Sequence, residues 1–352
     1  MTDIVQTHLP PLRLVRRPVV LGALALLLGA SFLLALAIGA MPIPLRDVIA
    51  ILFGYDVDSQ FQAIILGLRL PRAVLAVLVG AGLGLSGAAL QGLFRNPLAD
   101  PGLIGISGGA ALGAVGVIVL GHMLVAIIPF AADPRLMPLA AFAGGLIATF
   151  ATERLAHHRG VAATGTLLLA GIAINAIAGA VMGILIFMSD DNQLREITFW
   201  TMGSLAKGGW SGALLAGPFV LLAIIVMLRY AQALNAMLLG EREAMHLGVS
   251  VEHLKRIVMV ASALAVGASV AVTGIIAFVG VVVPHLVRMA AGPDHRIVLP
   301  GSALLGASLL LIADSLARII VVPAELPIGL VTSLIGSPFF LYLLLRRKAL
   351  TT

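Results

Sequence analysis

From Val19 to Leu345 the chain is a succession of apolar runs, and its charges sit in the short gaps between them. The runs lie near 19–41, 62–85, 92–121, 137–153, 162–187, 210–230, 254–273, 278–290, 298–320 and 327–345. Most have the length a helix needs to cross a bilayer, about 20 residues. Within hydrocarbon every backbone N–H and C=O must be satisfied internally, so a span is either a helix or a strand of a closed barrel. Barrel strands alternate polar and apolar residues over segments of about ten, and these runs do not alternate. A soluble domain is excluded as well: 60% of the residues are hydrophobic and 11% charged, against roughly a quarter charged in soluble proteins. The predicted fold class is all-α, a polytopic membrane protein of about ten transmembrane helices. Abundant glycine, with 39 residues, suits close helix contacts in lipid.

Two runs break the pattern. The third is long and rich in Gly and Pro, and the eighth is too short for an ordinary span. Segments that stop and restart at membrane depth are tolerated inside a bundle or beside a polar path, so irregular backbone is expected near Asn96–Gly109 and Val272–Phe278. The first run follows Arg13, Arg16 and Arg17 and is longer than a signal-peptide core, which predicts a retained first helix. With the N-terminus inside, 15 of the 22 Lys and Arg fall in inner segments. That bias predicts two cytoplasmic termini and an even number of spans. The organisation is then a cytoplasmic segment 1–18, one transmembrane domain 19–345 and a cytoplasmic tail 346–352.

Catalytic chemistry is not legible. The chain has no cysteine, hence no thiolate ligand or nucleophile. It carries no phosphate-binding loop and no His-Glu-x-x-His zinc signature. His157, His158 and His285 read as loop or helix-end histidines, and no metal site or catalytic residue is assigned. Gly80, Gly82, Gly84 and Gly87 lie inside a span and read as close-packing positions. The costly polar groups in or beside the runs are Asn96, Asp100, Asn175, Asp314, Arg318 and Glu325. Asp314 and Arg318 stand four apart on one helix face and can pair. Asn175 is either glue between helices or a group lining a path. The longest inner loop, Tyr230 to Arg256, is patterned as one or two short amphipathic helices with Met237, Leu238, Met245, Leu247 and Leu254 as its apolar side. It either rests on the lipid interface or docks a cytoplasmic partner. Hydropathy with polar groups at mid-membrane also fits a secondary transporter.

Three stretches carry a resemblance. RLPRAVLAVLVGAGLGLSGAALQGLFRNPLADPGLIGISGGAALGA (Arg69 to Ala114), FWTMGSLA (Phe199 to Ala206) and the segment from Gly274 to Phe339, with VPHLVR, ADSLAR, ELPIG and GSPFF, resemble the permease subunits of type II ATP-binding cassette importers. These serve vitamin B12, iron–siderophores and haem. The resemblance covers nearly the whole chain. It implies ten helices per subunit, helices two to five related to seven to ten by inversion, and a homodimer around a central path. It also implies two cytoplasmic ATPase subunits that bind ATP, a periplasmic binding protein and a place in the bacterial inner membrane. The permease itself then holds no stable cofactor.

The resemblance also assigns residues. Arg69, Arg72 and Arg318 match the arginines that engage acidic residues of the binding protein, for which a planar guanidinium is suited. Without it, Arg69 and Arg72 read as interfacial snorkelling. The coupling loop falls at about 232–253, marked by Gly240, Glu241, Ala244, Leu247 and Gly248, with Glu241, Arg242 and Glu243 at the ATPase contact. The fifth helix lines the path, through Leu168, Gly171, Ile172, Asn175, Ala176, Gly179 and Met182. The stretch Ser189–Ala206 is most similar to the haem-importing branch, so haem is the expected substrate, with iron–siderophore and cobalamin as alternatives. Alternating access, without a covalent step, is the implied mechanism.

Overall fold

The computed structural model describes residues 17–125, 133–158, 161–162, 164–206 and 208–349. Residues 1–16 of the expected N-terminal segment and 350–352 of the tail lie outside that description. The chain opens with α1 (Arg17–Ala37), an apolar span. Two short helices follow, α2 (Leu45–Leu52) and α3 (Ser59–Ile64), and the second is capped by Asp58, whose carboxylate accepts from the Gln60 N–H at 2.8 Å. Through a π-turn at Ile65–Arg69 it continues into α4 (Leu70–Leu93). Next come α5 (Ile106–Val125), α6 (Leu136–Ala156) and α7 (Thr164–Met188). A capping box at Asp190 and Gln193 starts the amphipathic α8 (Asp191–Thr201).

The second half holds α9 (Gly209–Arg229), the short α10 (Ala231–Leu239) and α11 (Glu241–His246), and α12 (Val251–Thr273). It ends with α13 (Val279–Ala291), α14 (His295–Ile319) and α15 (Ile328–Ala349). Among the described residues the only strands are a two-residue ladder, His157–His158 against Val161–Ala162. The fold is helical apart from that ladder, and the described residues hold seven helices long and apolar enough to cross a membrane and three shorter apolar ones, Ile106–Gly121, Val279–Ala291 and Ile328–Tyr342.

Burial sorts these helices by depth. The span containing α4 is 83% buried over its most apolar window, whereas α7 is 22% buried. So α4 is the central column and α7 presents most of its surface outward. What lets α4 sit so deep is its glycines. A Cβ on Gly80 would strike the Gly306 carbonyl, on Gly84 the Ser302 carbonyl, and on Gly87 the Gly280 carbonyl. The backbones of α4, α13 and α14 therefore touch along one seam, where small residues give dispersion contact that lipid cannot match. Gly82, by contrast, meets only side chains, nearest Val220.

Both stretches expected to be irregular are so. Arg95 has φ 51° and Gly105 φ 90°, with a 3₁₀ turn at Pro101–Ile104 between them. Gly274 has φ 71° and Phe278 φ 68° at the entry to α13. The Thr273 carbonyl beside Gly274 accepts the Ser204 N–H at 2.6 Å, and the Gly280 carbonyl, left without a helical donor because Pro284 has no N–H, accepts from Gln91 Nε2 at 3.1 Å. The boundary between the second and third runs differs from the expectation. The helix does not stop near 85; it continues to Leu93, and the next span starts at Ile106. The glycines of 80–92 do not end it because they are packed, Gly80, Gly84 and Gly87 against backbone and Gly82 and Gly92 against side chains, and the break waits for Arg95 and Pro97.

Candidate functional site

The antiparallel packing of α4 on α14 brings the start of one against the end of the other. Arg72 Nε lies 2.9 and 3.1 Å from the two Asp314 oxygens, and its Nη2 lies 2.8 Å from Oδ1. Its Nη1 bonds Glu325 Oε2 at 2.8 Å. Arg318 closes on the same carboxylate, Nε to Oδ2 3.2 Å, and donates through Nη2 to the Ala35 carbonyl at 2.9 Å. Arg69 donates to the carbonyls of Leu36 at 2.6 Å, Ala37 at 2.9 Å and Met41. Thus the three arginines singled out from sequence gather at one end of the bundle. Arg69 and Arg318 are turned inward onto the last turn of α1, whose carbonyls have no intrahelical donors. Arg72 reaches the surface with Glu325, whose side chain is 42% exposed.

Beside Glu325 opens a cavity of about 1630 Å³. It is walled by aromatic, charged and small residues, among them Trp200, Phe199, Arg135, Arg195 and Thr273. Among the described residues no cluster of His, Cys, Asp and Glu is grouped to hold a metal ion.

At the opposite end sits the loop of α10 and α11. Gly240 (φ 139°) makes the turn between them, and Gly248 (φ 84°) ends the second. Ala244 is fully buried and fixes α11 to the bundle. Glu241 is turned to its own chain, bonding Lys255 Nζ at 2.8 Å, and Lys255 is itself 2% exposed. Arg242, Glu243 and Gly248 face solvent, as do Leu239, Met245 and Leu247. The expected apolar side of this loop therefore divides: Met237 and Leu254 are buried in the core, while Leu238, Met245 and Leu247 are exposed. Short amphipathic helices carry apolar residues on two faces here because α10 and α11 turn sharply at Gly240.

The expected path residues on α7 also divide. Ile172, Ala176 and Gly179 are exposed and stand at i, i+4 and i+7, one outward face. Gly171 is buried, where a Cβ would strike the Leu103 carbonyl. Asn175 donates to the Gly102 carbonyl at 2.8 Å, so its amide is interhelical glue. Leu168 and Met182 are half-buried against neighbouring helices.

A model of the FecCD transport family matches residues 26–346. The chain belongs to this family. It is a membrane permease, 46% identical over 331 residues to the hemin transport system permease of Yersinia pestis, covering 93% of this chain and 96% of that one. It is 43% identical to the cobalamin import system permease of Halobacterium salinarum, over 84% of this chain and 76% of the other. A solved metal-chelate type ABC transporter in an inward-facing conformation superposes with a TM-score of 0.80, at 33% identity, covering 94% of this chain and 99% of that chain.

The FecCD permease also holds residues that the sequence did not single out. Asn235 on α10 bonds three groups at the start of α14, and Lys255, which reads from sequence as a loop charge, is a buried cation. A lone amide inside AQALNAMLL, and a lysine at the apolar spacing of Val251, Leu254 and Val258, are the only signals that pointed to them.

Proposed function

We propose that this FecCD permease is the channel of an ATP-driven importer that carries haem from periplasm to cytoplasm by alternating access. It works as a homodimer of ten-helix subunits in the bacterial inner membrane, both termini in the cytoplasm, with two ATPase subunits inside and a periplasmic binding protein outside. One observation carries the substrate: the 46% identity, over 93% of the chain, to a hemin permease. The second reading, cobalamin, rests on the 43% identical Halobacterium permease.

In this reading the arginine end is periplasmic. Arg72 and Glu325 form the accessible edge that meets the binding protein, and Arg69 and Arg318 hold that edge on α1. Charges so placed set register and speed encounter more than they add affinity. At the cytoplasmic end the loop 232–253 couples to the ATPase. Arg242, Glu243, Leu247 and Gly248 are presented outward, while Gly240, Glu241 and Ala244 shape and anchor α11. The α7 face of Ile172, Ala176 and Gly179 lines the path at the dimer axis, and Leu168, Gly171, Asn175 and Met182 hold that helix in place. ATP is bound and hydrolysed by the partner; the permease only changes shape, with no covalent step.

The test is uptake into proteoliposomes holding the permease, its ATPase and its binding protein, with haem, ferric-siderophore and cobalamin lanes. Haem accumulation that vanishes without ATP is the expected result. Uptake of another ligand replaces haem and keeps the importer; accumulation without the ATPase makes it a secondary carrier.

A further inference from the structure

The bonds of Asn235 place a single amide between the cytoplasmic loop and the buried helix α14. Its Nδ2 donates to Asp294 Oδ1 at 2.7 Å. Its Oδ1 accepts the His295 backbone N–H at 2.8 Å and lies 3.0 Å from His295 Nδ1. An amide oxygen only accepts, so the imidazole donates to it from Nδ1. His295 is 1% exposed, and a Cβ on Gly92 of α4 would collide with its ring. The amide therefore grips a residue that is itself locked against the central column.

The place of this grip matters because of what α14 joins. At 1.5 Å per residue its 25 residues span about 37 Å, from the clip at Asp294–His295 to Asp314 and Arg318 at the arginine end. Its first turn is the weak link. Pro300 has no N–H, so the Arg296 carbonyl loses its intrahelical donor. Asp294 caps Arg296 N at 2.9 Å, and the same Oδ1 atom takes the Asn235 proton. Loop and helix start are thus one hydrogen-bonded unit.

We infer that Asn235 is the positioning residue through which movement of the α10–α11 loop is passed to α14, and along it to the Arg72–Asp314–Arg318 cluster. The inference rests on the importer reading above and adds to it a specific connector. Without the clip, the loop moves with the ATPase while α14 stays behind, so ATP is hydrolysed with little import.

The experiment compares the reconstituted complex with Asn235→Ala. Expected is ATPase activity close to that of the unaltered complex and a roughly tenfold rise in ATP hydrolysed per substrate imported. Activity and import falling together in an assembled complex, or an unchanged ratio, overturns the inference. A second readout needs no substrate. The chain lacks cysteine, so spin labels at Gln232→Cys and Arg296→Cys report the distance between α10 and α14 in the permease alone. That distance is narrowly distributed in the parent and broad in Asn235→Ala; a distribution unmoved by Asn235→Ala overturns the clip. An unaltered complex that imports nothing under ATP refutes the importer reading instead, and the label pair still decides whether the clip exists.

Discussion

Arg72 and Asp314 stand 242 residues apart in the chain, yet the guanidinium and the carboxylate meet at 2.8–3.1 Å. Asp314, at 2% exposure, is also the counter-ion of Arg318. Removing it leaves two cations with little water, and breaking a buried pair costs about 3–5 kcal/mol. Asp314→Ala is therefore expected to lower the unfolding temperature of the detergent-solubilised protein sharply. Glu325→Gln, on the exposed edge, should change stability by less than about 1 kcal/mol. Equal effects from the two would show that the carboxylate is not a core counter-ion.

Arg69 ties down the end of α1. Its guanidinium serves the carbonyls of Leu36, Ala37 and Met41, and Ile43 just beyond is buried at 3%. Arg69→Ala orphans the Leu36 and Met41 carbonyls, at about 1–3 kcal/mol for each that water does not reach, while the Ala37 carbonyl keeps the Ile43 N–H at 3.0 Å. The expected outcome is local release rather than global unfolding. A single Ile43→Cys, in a chain with no other cysteine, should react with a maleimide about tenfold or more faster when Arg69 is also replaced. Unchanged labelling kinetics would mean that the end of α1 is held by packing alone.

How far the sequence reveals this molecule depends on which force is at work. Helices and their breaks follow from hydropathy and from Gly and Pro, and both irregular stretches lie where Asn96–Gly109 and Val272–Phe278 predict. The ion pair of Asp314 with Arg318 is local, four residues apart, and is equally legible. What joins distant segments is not. Arg72 with Asp314, Asn235 with His295 and Glu153 with Arg256 depend on the register of helices far apart in sequence, which no local pattern encodes. The path residues show the same limit. A resemblance names the helix, but only its packing shows that Ile172, Ala176 and Gly179 face outward while Gly171 and Asn175 face α5 and the 3₁₀ turn.

That division predicts opposite behaviour from neighbouring positions. Ala176→Trp adds bulk to an exposed face and is expected to reduce import with little change in unfolding temperature. Asn175→Ala removes one of two donors to the Gly102 carbonyl, which keeps the Gly105 N–H at 3.2 Å, and should cost about 0.5–1.5 kcal/mol. Uptake and thermal unfolding, measured on both variants, check this. Should Ala176→Trp destabilise as much as Asn175→Ala, the two faces of α7 are not distinct in the membrane.

The glycines make the last test, because they separate contact within a subunit from space outside it. A Cβ on Gly80 would lie 2.7 Å from the Gly306 carbonyl carbon and 2.8 Å from Ala307 Cα. Those are backbone atoms of α14 and cannot rotate away, so Gly80→Ala forces the central seam apart, at about 1–3 kcal/mol or more. Around Gly179 nothing lies within 4 Å, and Gly179→Ala should instead stabilise by up to about 1 kcal/mol through helix propensity. Both substitutions add one methyl to an apolar helix, so composition and hydropathy predict the same result for each. Thermal unfolding of the solubilised protein distinguishes them: opposite signs support a seam of touching backbones between α4 and α14, and matching signs would mean that the two backbones do not touch.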